Sequence, residues 1–124
     1  GKIEMGSAGT LPDELSRDVP IYFPGFPTGW SIYYYSGKEP FFEIGIEAGS
    51  DQSSVLDWYR SNLLSEGWTI GPLEVDMGSI LCGPDKPEVI GAKKDNRILQ
   101  ISVCATSCHT YCSTTISLLT TENN

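Results

Sequence analysis

The sequence predicts an α+β domain in which one α-helix packs on one face of an antiparallel sheet of four to six strands. Three observations carry this prediction. A single stretch, from Ser50 to Gly67, places apolar residues at helical spacing. Several short runs rich in β-branched and aromatic residues are separated by Gly, Pro, Asp and Asn. The chain has 124 residues, a common size for one domain built on one core. A lone helix covers only one face of a sheet, so the strands are expected to be antiparallel with the second face open.

In chain order, residues 1–10 read as a flexible N-terminal tether, because Gly6-Ser7-Ala8-Gly9-Thr10 is small and unconstrained. Residues 11–124 read as the single domain. The chain opens Gly1-Lys2 with no initiator methionine, as expected of a trimmed start whose native N-terminus lies upstream. Leu11 to Pro27 is rich in proline, which fixes φ and pushes the preceding residue to extended geometry. It is expected to run as irregular extended chain with its aromatic and aliphatic side chains against the core edge.

Trp30–Tyr35 and Phe41–Ala48 predict two strands of a hairpin, with Ser36-Gly37-Lys38-Glu39-Pro40 as the turn. In the second strand Phe42, Ile44 and Ile46 alternate with Glu43 and Glu47, the pattern of a half-buried strand. Ser50 or Asp51 can cap the helix that follows. Val55, Leu56, Tyr59 and Leu63 form its buried stripe. Gly67 supplies the left-handed residue that ends it, and Trp68 folds back on Leu63. Trp68–Val75, Glu88–Lys94, Arg97–Cys104 and Tyr111–Leu119 are the remaining strand candidates. Met77–Pro87 reads as a loop, and Asp95-Asn96 as a two-residue turn.

Composition narrows the function classes. Sixteen acidic residues face eight basic ones, a net charge of -8. That field repels phosphate backbones and anionic headgroups, so neither nucleic acid nor a membrane surface is an expected partner. No apolar run approaches the roughly 20 residues that span a bilayer. The one histidine, His109, has only Ser107, Thr110 and cysteines beside it. No nucleophile elbow, Gly-rich phosphate loop or carboxylate pair stands out, so no catalytic residues and no cofactor are expected. The aromatic run Tyr33, Tyr34, Tyr35 is the candidate binding surface. Alternation should leave Tyr34, or Tyr33 with Tyr35, on the uncovered face.

The four cysteines, Cys82, Cys104, Cys108 and Cys112, suggest two disulfides and an oxidising compartment. If Glu88–Lys94 pairs with Arg97–Cys104 across Asp95-Asn96, residue 88 lies beside 103 and all four sulfurs can meet at one sheet end. A Cys104–Cys112 bridge with Cys82–Cys108 would set Leu99, Ile101 and Val103 opposite Ser117, Thr115 and Ser113. A register shifted by one, matching Leu99 with Leu118 and Ile101 with Ile116, suits a buried face better, and a bulge could reconcile the two. The connectivity stays open. The alternative is a redox module that binds metal or haem through Cys104, Cys108, Cys112 and His109. Cys104-Ala-Thr-Ser-Cys108-His109 is a widened C-x-x-C-H pattern, with Met5 or Met77 as a distal ligand, and C-x3-C-x3-C partly fits a zinc site. The haem motif's gap is one residue too long, and the flanks favour strand.

Two segments together resemble a family. Asp18-Val19-Pro20-Ile21-Tyr22-Phe23-Pro24-Gly25 resembles the D-x-P-x-YPGA-like lead-in of small bacterial cell-envelope proteins, many of them lipoproteins. Tyr59-x3-Leu63-x3-Gly67-Trp68 resembles their Y-x3-L-x3-GW helix end, and Ala92-Lys93-Lys94-Asp95-Asn96-Arg97 resembles a turn in their late strands. Phe23 separates the Tyr and the Pro, and the cysteines lie outside the shared pattern. The resemblance implies a secreted or lipid-anchored extracytoplasmic domain. On that footing the chain is expected to be a non-enzymatic binding module for an unidentified macromolecule or extracellular ligand.

Overall fold

A computed structural model describes residues 1–35, 37, 40–72, 88–105 and 114–121. The elements run β1 (Lys2–Gly6), β2 (Gly25–Tyr34), β3 (Phe41–Ala48), α1 (Gln52–Ser65), β4 (Thr69–Ile70), β5 (Glu88–Lys94), β6 (Arg97–Ala105) and β7 (Thr114–Thr121). Strands β1–β2–β3 and β4–β5–β6 form two three-stranded antiparallel units. β7 joins them, giving the order β1-β2-β3-β7-β6-β5-β4 in one seven-stranded sheet. The fold is α+β, with more strands than the four to six expected.

The extra strand comes from the segment read as a tether. Lys2–Gly6 pairs antiparallel with β2, from Lys2 opposite Tyr34 to Gly6 opposite Trp30. The alternation Lys2-Ile3-Glu4-Met5 is a strand pattern, which the flexible residues after it obscured. At Gly6 a side chain is excluded, because a Cβ there would lie 1.9 Å from the Trp30 ring. Trp30 in turn donates from Nε1 to Thr10 Oγ1 at 3.0 Å.

The helix forms where its periodicity placed it. Asp51 is the N-cap, its carboxylate accepting from the Ser54 amide at 2.8 Å. Gly67 adopts φ 87°, and the Trp68 amide donates to Leu63 O at 2.9 Å while that of Gly67 donates to Leu64 O at 3.1 Å. This is the Schellman closure, with Gly supplying the left-handed residue at no steric cost. Val55, Leu56, Tyr59 and Leu63 are the buried stripe. They pack on Ile44, Ile46 and Ala48 of β3, Ile90 and Ala92 of β5, and Leu99, Ile101 and Val103 of β6. Val19 and Tyr22 of the proline-rich lead-in close the core, while Phe23 and Phe26 point to solvent.

The β5–β6 hairpin turns at Asp95-Asn96, with Asp95 at φ 54° and Glu88 opposite Val103. The β6–β7 register differs from both expectations: Leu99 lies opposite Thr120, Ile101 opposite Leu118 and Cys104 opposite Thr115. The reason is that β7 pairs on both sides. Its Leu118 and Ile116 positions must also meet Ile44 and Ile46 of β3. The segment from 73 to 75 expected as strand, the loop carrying Cys82, and Cys108, His109 and Cys112 lie outside the described residues.

Candidate functional site

Alternation along the strands sorts the sheet into two faces. Ile44, Ile46, Leu99 and Ile101 face α1. Ile3, Met5, Tyr33, Phe41 and Glu43 therefore face away from it, and the register aligns Ile3, Tyr33 and Phe41 in one cross-strand row. Tyr33 and Phe41 are in ring contact at 6.0 Å, and the Tyr33 hydroxyl donates to Glu43 Oε2 at 3.3 Å. Phe26, opposite Glu47, continues this face toward the other end of β2. Met5 is 78 % exposed, Ile3 60 %, Phe26 56 % and Tyr35 54 %.

The three sequence-predicted tyrosines thus separate. Tyr33 lies on the far face, and Tyr35 lies just past the strand end, close to Gly1. Tyr34 lies on the helix-side face, with the Lys2 ammonium 5.5 Å from its ring centre. Partial desolvation, with Glu4 and Glu14 nearby, pushes its hydroxyl pKa upward. Among the described residues the far face is open at the β1–β3 end and again at Val89 of β5. At β6 it is covered, since Gln100, Ser102 and Cys104 are buried there. Ile3 and Met5 were missed in the sequence because residues 1–10 read as a tether, although their alternation with Lys2 and Glu4 was the available signal.

The second concentration of chemistry is a charge cluster on the helix side. Arg97 donates from Nη1 to Asp18 Oδ1 at 2.7 Å and from Nη2 to Asp18 Oδ2. Lys94 Nζ donates to Asp18 Oδ2 at 2.8 Å and to Glu66 O at 2.7 Å. Ser16 Oγ donates to Asp18 Oδ1 at 2.8 Å. The Trp68 indole donates to Asp18 O at 2.6 Å, and the Arg97 guanidinium lies 5.0 Å from the Trp68 ring centre. The Arg97 bonds above all, then those from Lys94 and Ser16, hold the Asp18 carboxyl well below the usual carboxylate range. The proline-rich lead-in, the helix end and the β5–β6 turn meet here, so Asp18, Trp68, Lys94 and Arg97, drawn from the three segments that carried the resemblance, form one lock. Both Asp18 oxygens are engaged, which makes the cluster a tie between segments rather than a ligand site.

Cys104 is buried and is not a free thiol. Among the described residues no three His, Cys, Asp or Glu side chains converge to hold a metal, and no helix is long and apolar enough to cross a membrane. The open far face of β1–β3 is an apolar, aromatic-bearing surface that also carries Glu43 and Glu47. Comparison of the chain with protein-family models, curated proteins and solved structures returned no match.

Proposed function

We propose that this chain is a non-enzymatic, extracytoplasmic binding module that engages another macromolecule through the far face of β1–β3. The observation that carries this reading is the exposure of Ile3, Met5 and Phe26 around the Tyr33–Phe41 pair on one side of the sheet, with Tyr35 exposed just past the strand end. Large apolar side chains gathered on one exposed face mark interaction surfaces, whereas scattered ones do not. The bordering carboxylates and the net charge of -8 favour a neutral or basic apolar peptide segment over an acidic one.

The extracytoplasmic setting draws on the even count of four cysteines, on the absence of a free thiol at Cys104, and on the resemblance to bacterial envelope proteins. Intact mass tests that part: two bridges add four hydrogens on reduction, while free thiols in the native protein remove the oxidising address. Selection of binders from a displayed peptide library, followed by amide chemical-shift mapping, tests the surface. The expected result is perturbation at Ile3, Tyr33 and Phe41, with affinity reduced at least about tenfold by Tyr33→Ala. Binding that maps to the Gly67–Thr69 end, or is indifferent to Tyr33, overturns it.

A further inference from the structure

Among the described residues the sheet ends on one side at β1, which pairs with β2, and on the other at the two-residue β4. β1 therefore presents a five-residue strand edge along which the N–H and C=O groups of alternate residues point outward. We propose that β1 pairs antiparallel with β1 of a second copy of this chain, joining two sheets edge to edge about a two-fold axis normal to the sheet. This rests on the strand edge and its charges, not on the peptide-binding reading above.

Symmetry and charge together select one register. A two-fold axis normal to the sheet keeps each face on its own side, so residues of one face must oppose residues of the same face. Centring on Lys2 or on Glu4 would set like charges directly opposite each other, and centring on Met5 would leave Lys2 beyond the pairing. Centring on Ile3 places Lys2 opposite Glu4 of the second copy, and Glu4 opposite its Lys2. Both favourable cross-strand pairs then form at once. Within the chain Lys2 and Glu4 form an ion pair at 3.4 Å, beside the Tyr34 ring, and their side chains are 71 % and 37 % exposed, within reach of a second copy.

The same register completes the far face. The row Phe41–Tyr33–Ile3 meets its own copy at Ile3, so the apolar band runs on across the axis without a break. The net charge of -8 per chain opposes association in general, which makes the paired Lys2 and Glu4 the local exception that fixes where copies meet.

Sedimentation equilibrium at about 0.15 M salt, with protein up to about 0.5 mM, tests the proposal. The wild-type chain is expected to dimerise. Lys2→Glu alone and Glu4→Lys alone each place like charges across the axis and weaken the dimer at least about tenfold. An equimolar mixture of the two variants restores it as a heterodimer. The intrachain pair cannot produce that result, because each variant chain carries two like charges of its own. A wild-type chain that stays monomeric, single variants that associate unchanged, or a mixture that fails to recover each overturn the proposal. Loss of peptide binding at Tyr33 leaves these outcomes unaffected, so the two readings fail separately.

Discussion

The Asp18 carboxylate accepts from Arg97, Lys94 and Ser16 while its own carbonyl accepts from Trp68. Its side chain is 19 % exposed, with Lys94 at 27 % and Arg97 at 11 %. Removing the anion leaves two cations facing each other in a half-dry site, so Asp18→Asn is expected to cost about 3 kcal/mol in urea unfolding. Its pH signature follows from the depressed pKa. The carboxylate stabilises the fold at every pH above its unfolded value of about 4, and that contribution is lost as pH falls toward the lower folded value. Wild-type stability should therefore decline below about pH 4, and the Asn variant should lack that component of the decline. A variant with the same acid profile as wild type would show that the lock carries no charge-dependent stability. Arg97→Lys keeps the charge but loses the two-pronged geometry and the stacking on Trp68, and should cost about 1 kcal/mol or more. The sequence contained every member of this lock, yet the partners stand 76 and 79 positions from Asp18. No local period reports such a pairing.

At the scale of elements, what was legible was what is local. The α1 stripe, the Asp51 cap and the Gly67-Trp68 closure all arise within a few residues of one another, and all three are found. The β5–β6 hairpin was equally legible, because a two-residue turn sets its own register. β1 was obscured because a lone strand of five residues beside Gly6-Ser7-Ala8-Gly9 has no partner nearby in sequence. The lead-in segment is attached to α1 in a way no pattern foretold: the Tyr22 amide donates to the Tyr59 hydroxyl at 3.1 Å inside the core. Burial also raises the Tyr59 hydroxyl pKa far above its ordinary value, so it stays neutral. Tyr59→Phe removes that acceptor and strands a buried N–H, with an expected loss of about 1–2 kcal/mol in chemical denaturation. An unchanged midpoint would mean that water or another acceptor replaces the hydroxyl. At the edge, Gly6→Val would drive a side chain into the Trp30 ring. Hydrogen exchange should then show the amides of Ile3–Met5 losing protection while those of β6 keep theirs, because edge strands open independently of the core.

Across the whole molecule, the strand made last sits in the middle. β7 lies between β3 and β6, so neither three-stranded unit reaches the other until residues 114–121 are in place. This explains the β6–β7 register. Considered as a hairpin alone, that register has several acceptable solutions, and the sequence could not choose among them. Considered as a strand that must match β3 as well, it has one, in which position 118 stands between Ile44 and Ile101 and position 116 between Ile46 and Val103. The β3–β7 ladder joins residues as distant as Phe41 and Thr121, and pairing at that separation gives slow folding, on the order of milliseconds to seconds. Two truncations separate keystone from edge. Deleting residues 2–6 removes a terminal strand and should lower the melting temperature while leaving one cooperative transition. Deleting residues 114–124 removes the ladders on both sides of β7 at once. The core residues of β3 and β6 then face each other across an empty position, and the helix stripe loses the continuous surface it covers. That protein should melt without a cooperative transition and show collapsed amide dispersion, because marginal stability cannot survive the loss of a central strand. If it instead unfolds as sharply as the full chain, the two halves of the sheet are stable units in their own right, and β7 only docks between them.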